Sequence, residues 1–323
     1  MSTIANLEPS TYIQWAGFLE NIPAFADAQG NIRLVEGKEK TVEAHDGLLC
    51  ASPDRDGNSL VSGGEDGLIR RTYSNADSKI IHRSGTKWVD KIATGPDDTI
   101  AYGSGRSGEI ILKTGDTRRI NVDRTIEGLA FAPKGMRLAI ARYDGVELQW
   151  VNSDSANQFL QWKGAHTGVM FSPDGNYVIS LMQENALHGW RLKDKKHMQM
   201  TGYPSKVSSM SWAHKGKWLA TSGALSAIIW PFSGKDGPMG KAPKELGGMG
   251  KLMVTQVCCH PTGEMLAVGY ENGMIMAIRI DDGQIASLRR EGHGTITTMN
   301  WDPSGTRLAF GSEEGEAGTI TLS

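Results

Sequence analysis

The chain has 323 residues, 39% hydrophobic and 22% charged, with a formal net charge of −2. That length and composition bury a sizeable core and exclude a disordered or fibrous chain. The near-neutral charge gives no global attraction to nucleic acid or anionic membrane, so neither is expected as a partner. Its three cysteines are Cys50, Cys258 and Cys259. Two are neighbours, which argues against a disulfide framework. The opening MSTIANLEPSTYIQW has no basic head before an apolar core, and no apolar run approaches the roughly 20 residues of a membrane span. Free thiols without an export signal make the cytoplasm the expected location.

In chain order, the first elements are short β-rich runs: YIQWAGF (12–18), NIPAFADA (21–28), NIRLVE (31–36) and EKTVEA (39–44). Seven turn markers follow, at Pro53-Asp54, Pro96-Asp97, Pro133-Lys134-Gly135, Pro173-Asp174-Gly175, His214-Lys215-Gly216, Pro261-Thr262-Gly263 and Pro303-Ser304-Gly305, spaced 37 to 47 residues apart. Proline presets the first corner of such a turn, and glycine accepts the positive φ that closes a short hairpin. Ahead of the turns stand Phe131, Phe171, Trp212, Cys259 and Trp301, read as core residues of a first strand. Behind them come second strands such as LVSGG (60–64), RLAIARY (137–143), YVISLM (177–182) and WLATSG (218–223). Third strands include LIRRTY (68–73), VELQWV (146–151), ALHGWRL (186–192) and AIIWPF (227–232), and outer strands include SKIIHR (78–83), NQFLQW (157–162) and KHMQMT (196–201).

With the degenerate N-terminal set, eight repeats are expected, beginning near residues 12, 47, 88, 126, 166, 207, 254 and 296 of a single domain spanning 1–323. Seven repeats plus an N-terminal extension is the alternative. The last repeat ends after its third strand, so Thr3 to Leu7 are expected to supply its outer strand and leave no open edge.

Four strands per repeat, a period near forty and a His…Ser…Asp…Trp pattern resemble the WD40 β-propellers over essentially the whole chain. The resemblance implies an all-β propeller of eight four-stranded blades. It also implies a hydrogen-bonded side-chain set inside a blade. Repeat five matches that set at His166, Ser180 and Trp190, with Asn185 near the Asp place; repeat two matches at His45, Ser62 and Asp66, with Thr72 at the Trp place. Trp-Asp occurs only as Trp301-Asp302, in a first strand, which marks a divergent member.

No catalytic constellation stands out. His166 and Ser180 supply the parts of a nucleophilic site, yet Ser180 lies mid-strand and not on an exposed elbow. Gly103-Ser104-Gly105-Arg106-Ser107-Gly108 fits G-x-G-x-x-G but runs into a strand, where a pyrophosphate needs a helix N-terminus. Gly247-Gly248-Met249-Gly250-Lys251 lacks the spacing and the Ser/Thr of a phosphate loop. Cys258-Cys259-His260 carries zinc-type donors, but strand alternation sends the two thiols to opposite faces. No cofactor, metal or enzymatic activity is expected.

The remaining signal is surface charge. In the WD40 arrangement one loop face would hold Lys193, Lys195, Lys196, Lys215, Lys217, Lys235, Lys241 and Lys244 from repeats five and six. Repeats two to four would place Asp54, Asp56, Asp77, Asp97, Asp98, Asp116 and Asp154 on it. A long Gly/Pro/Lys-rich loop at 233–251 adds Met239 and Met249. Propellers of the family act as rigid platforms, so the expectation is a monomeric, non-catalytic scaffold binding one or more proteins through these lysines. The alternative is a small ligand or catalysis at a central channel.

Overall fold

A computed structural model of the chain describes residues 3–6, 11–85, 88–153 and 155–322, with the side chains of 3–6 and of His214 set aside. Among the described residues regular structure is almost wholly β, and every strand pairing is antiparallel. The strands alternate as the residues demand: in Tyr177–Met182 and Met265–Tyr270 β-branched and aromatic side chains fill both faces, because both are covered.

The chain divides into two compact units, one of residues 1–41 with 203–323 and one of residues 42–202. In the first, four-stranded sheets follow in chain order: Ile13–Leu19 through Lys38–Glu43, Met210–Ala213 through Lys244–Leu246, Val254–Cys259 through Ile285–Arg289, and Ile296–Trp301 through Ala317–Thr321. The last is completed by Thr3–Asn6, paired Thr3 to Thr321 and Asn6 to Gly318. The expected closure by the N-terminal strand therefore forms, with Thr3–Asn6 as the outer strand of that sheet, while Leu7 lies outside the described residues. Neighbouring sheets pack face to face: Ile229 and Ala220 meet Val268 and Tyr270, Ile275 meets Phe310 and Ile320, and Ala309 meets Ile13 and Phe25.

In the second unit the sheets are Leu48–Pro53 through Ser78–Arg83, Lys91–Thr94 through Thr117–Asn121, and a six-stranded sheet from Gly128–Phe131 to Lys196–Met200. Among the described residues the sheets therefore number seven. The expectation of eight separate four-stranded blades is corrected to seven blade sheets, and the reason is local. Of two 14-residue segments there, Arg137–Trp150 supplies the second and third strands of repeat four, and Gln158–Phe171 serves repeats four and five together. Gln158–Phe171 carries the outer strand of repeat four and, without a break, the first strand of repeat five, pairing with Arg137–Trp150 at one end and Tyr177–Met182 at the other. Arg137–Trp150 doubles back on itself. Asp144 (φ 68°) and Gly145 (φ 148°) turn the chain, and the Val151 N–H donates to the Met136 carbonyl at 2.8 Å. Fully extended, 14 residues would hold those ends roughly 45 Å apart.

The segment 233–251, expected as one long loop, contains Lys244–Leu246, which pairs with Ala227–Pro231 as an outer strand. Its three-residue length explains why no β pattern marked it. Of the expected first-strand core residues, Phe131, Phe171 and Cys259 are buried, while Trp212 and Trp301 are half-buried.

Candidate functional site

The polar side chains with chemistry lie inside the sheets. In repeat two His45 precedes the first strand, Ser62 sits in Ser59–Gly64, and Asp66 sits in the next turn. The structure joins all three: His45 Nδ1 is 3.0 Å and 3.1 Å from the two Asp66 oxygens, and its Nε2 is 2.9 Å from Ser62 Oγ. The carboxylate only accepts, so Nδ1–H donates to it and the Ser62 hydroxyl donates to Nε2. Asp66 also accepts the Leu68 N–H at 3.0 Å. Burial holds the His45 ring below its usual pKa, against the opposing pull of Asp66. The bonding order is that of a hydrolase triad. Ser62 is nevertheless wholly buried, so no substrate carbonyl reaches it. The set ties the entry to the first strand, the second strand and the following turn into one unit. Thr72, in the Trp place, instead meets Ser78 Oγ at 3.1 Å.

Repeat five solves the same problem without the aspartate. His166 Nδ1 lies 2.7 Å from Ser180 Oγ, and Nε2–H donates to the Trp162 carbonyl at 2.9 Å. The backbone oxygen takes over the task of a side-chain acceptor at Asn185. Trp190, 2% exposed, packs beside His166 and edge-on to His188 at 4.7 Å. His188 is fully buried and stacks on Trp162 at 3.9 Å. Among the described residues neither of its ring nitrogens has a hydrogen-bond partner. Burial first, then the neighbouring His197 and His166, push its pKa down to about 3, so it is neutral.

Two further sets escaped the sequence pattern. In repeat six the Tyr203 hydroxyl lies 2.7 Å from Thr221 Oγ1 and accepts the Trp230 indole N–H at 2.6 Å, while Thr221 donates to the Ile228 carbonyl at 3.1 Å. Tyr203 does the work of histidine there. Thr221 at the place of Ser180 and Trp230 near that of Trp190 were the available signals. Between repeats seven and eight, the buried Arg289 guanidinium meets Glu316 at 2.5 Å, hydrogen-bonds the Gly273 carbonyl and lies over the Phe310 ring at 4.9 Å.

The cysteine–histidine run is structural in its contacts. Cys259 joins the cluster of Val257 and Leu266, while Cys258 packs with Leu308 and Phe310 on the other side. Burial pushes each of these thiols up to about 12. His260 Nε2–H donates to the Gly305 carbonyl at 2.9 Å and its Nδ1 accepts the Gly263 N–H at 2.8 Å, so both nitrogens are spent on turns.

The expected lysines divide between the two units. Lys193, Lys195 and Lys196 share the turn between Leu187–Arg191 and Lys196–Met200, all exposed, with Lys195 at φ 58°. Asp194 in that turn is held at a pKa of about 2 by hydrogen bonds from Arg191 at 2.9 Å and 2.7 Å. In the other unit Lys215 and Lys217 flank the turn after Met210–Ala213. Two lysines are already engaged: Lys241 donates to the Ser233 carbonyl at 2.5 Å, and Lys244 donates to the Ile280 carbonyl at 3.1 Å with its ammonium over the Trp218 ring. Lys235 lies in the loop with partners of its own. On the acidic side, Asp54, Asp56, Asp97 and Asp98 line one cavity, and Asp98 is ion-paired with Arg71. Asp77 and Asp116 close their own turns, and Asp154 lies outside the described residues.

With this geometry in place, comparison with known families is decisive. The model for the WD domain, G-beta repeat, matches residues 37–70 and 195–230, the first stretch containing His45, Ser62 and Asp66 and the second ending at Trp230. The model for the anaphase-promoting complex subunit 4 WD40 domain matches residues 246–304. This is a WD40-repeat β-propeller. Solved propellers agree at the level of fold. The chain is similar to the Dos1 propeller (13% identity, covering 98% of this chain and 94% of that one, TM-score 0.80). It is also similar to the computationally designed Ika8 protein (17%, 98% of both chains, 0.79) and to the RRP9 WD40 repeats (14%, 85% and 94%, 0.64). No curated protein matches the WD40 chain in sequence. No helix among its described residues is long and apolar enough to cross a membrane.

Proposed function

We propose that this WD40 protein is a non-catalytic scaffold that binds another protein, with the exposed turn of Lys193, Lys195 and Lys196 as a contact. WD40 propellers generally bind other proteins. The observation that carries the reading is where the chemistry sits. Ser62, Ser180 and their histidines are sealed within sheets, whereas the three lysine side chains of one short turn reach solvent and the only acid among them is spent on Arg191. A cationic turn on a rigid sheet orients an acidic partner surface and pays little ordering cost. Lys215 and Lys217 extend the proposed contact set; Lys241 and Lys244 do not, since their ammonium groups hold their own loops. The scaffold is proposed as a monomer of the cytoplasm, where its buried thiols stay reduced.

The test is affinity capture from the native cell at low and moderate salt, run in parallel with wild type and with the triple change Lys193→Glu, Lys195→Glu, Lys196→Glu. A stoichiometric partner held by wild type at low salt, released on raising salt and missed by the variant is the expected result. Equal capture by both proteins refutes the lysine turn. Reproducible absence of any partner refutes the scaffold.

A further inference from the structure

A cavity of about 400 Å³ lies against the junction of repeats four and five, lined by Tyr143, Trp162, Lys163, Gly164, Met182 and Glu184. Its apolar wall is held in place from behind. The Trp162 indole stacks on His188, which is buried and pressed against Trp190. Tyr143 is half-exposed beside it. Its charge comes from Glu184. Gly164, at φ +124°, leaves room for that carboxylate: a Cβ there would stand 3.1 Å from both Glu184 oxygens and 2.8 Å from Met182 Cε. Among the described residues no hydrogen bond or ion pair engages the Glu184 carboxylate.

We propose that this cavity binds an alkylated ammonium group. The exposed Glu184 carboxylate makes the rim of the cavity negative and attracts a cation, and aromatic faces attract one through their quadrupole. A single carboxylate among apolar walls is a poor donor set for a metal ion, which needs several oxygens or nitrogens. A bare ammonium would lose its strong hydration against Trp162 and Met182, whereas methyl groups on nitrogen spread the charge and suit an apolar wall. The group comes either from a free small molecule or from a methylated lysine of a partner peptide, and the two share this chemistry. Lys163 sits at the cavity as a like charge and sets the sign of one test.

Titration calorimetry on the full chain tests the site with three probes: tetramethylammonium, a short peptide carrying trimethyl-lysine, and the same peptide carrying the uncharged carbon isostere. The charged peptide is expected to bind at least roughly tenfold more tightly than the isostere. Tyr143→Ala and Glu184→Gln should each weaken it by roughly 2- to 30-fold, the span of one cation–π or charge contact, and Lys163→Ala should tighten it. These three side chains are surface groups. Trp162 is left in place because its loss would also disturb His188. Tighter binding of the peptide than of tetramethylammonium assigns the site to a protein side chain; equal binding assigns it to a small molecule. Equal affinity for charged peptide and isostere, no binding of any probe, or tighter binding by Glu184→Gln overturns the proposal.

Discussion

Trp190→Ala, set against Trp162→Ala, tests whether the repeat register is understood. Trp190 is 2% exposed and belongs to the cluster of Leu148, Leu160, Phe171 and Val178, in the six-stranded sheet. Burying an indole removes about 200 Å² from water, which at about 25 cal/mol per Å² amounts to about 5 kcal/mol as an upper bound. Large-to-small substitutions of buried aromatics lose about 3–5 kcal/mol. His166 and His188 lean on the ring, so little of the cavity is expected to collapse, and the upper half of that range applies. Trp162 is half-buried at the edge of the same cluster; its loss should cost roughly half as much, about 1.5–2.5 kcal/mol. The assay is urea denaturation followed by far-UV circular dichroism, since removing a tryptophan changes the fluorescence signal itself. A Trp162→Ala midpoint as low as that of Trp190→Ala, or a loss below about 1 kcal/mol for both, would refute the assignment of Trp190 to the interior and Trp162 to the outer strand.

Three other outcomes follow from the buried polar sets. Tyr203→Phe removes the hydroxyl between Thr221 and the Trp230 indole and should cost about 1–3 kcal/mol; an unchanged urea midpoint would show the set to be incidental. Glu316→Ala strands the buried Arg289 guanidinium and should cost about 3–5 kcal/mol, with a thermal midpoint unmoved in 1 M salt counting against a buried pair. His45, His166 and His188 all have pKa values lowered by burial. Each binds a proton less readily when folded than when unfolded, where it titrates near pH 6.5. Their stabilisation is complete above that pH and is lost as pH falls towards the folded values; for His188, whose folded value is about 3, the loss is about 1.4 kcal/mol per pH unit below about pH 6.5. The lowered carboxylates Asp174, Asp194 and Asp302 act only below about pH 4. Between pH 6.5 and 4.5 the denaturation midpoint of wild type should therefore fall more steeply than that of His188→Phe, and parallel slopes would sink this account.

What the sequence makes legible follows from how strictly each feature constrains residue type. Turn chemistry was readable because a hairpin corner admits few residues: Pro173-Asp174-Gly175 and Pro303-Ser304-Gly305 sit where the chain reverses, with Gly175 and Gly305 both at φ 75°. Closure by Thr3–Asn6 was readable because the last repeat visibly lacked a strand. The fusion of repeats four and five was not. Pairing continuity through Gln158–Phe171 depends on the backbone between Trp162 and His166, and nothing in Lys163-Gly164-Ala165 distinguishes a bent continuous strand from a loop. The hydrogen-bonded sets show the same division. His45, Ser62 and Asp66 follow a residue pattern, but the need they meet is for one buried donor–acceptor relay per repeat, which Tyr203 with Thr221 and Trp230 supplies from different residues. His166 meets it with the Trp162 carbonyl, an acceptor that any residue carries and no sequence marks. The lysines mark the opposite limit. Composition placed eight of them in loops, but whether an ammonium is free to meet a partner depends on which carbonyl or ring lies within reach, as Ser233 does for Lys241 and Trp218 for Lys244. Lys193, Lys195 and Lys196 differ because their turn's acid is already hydrogen-bonded to Arg191 and all three side chains stay exposed, and that exposure is the ground on which they are proposed as the contact.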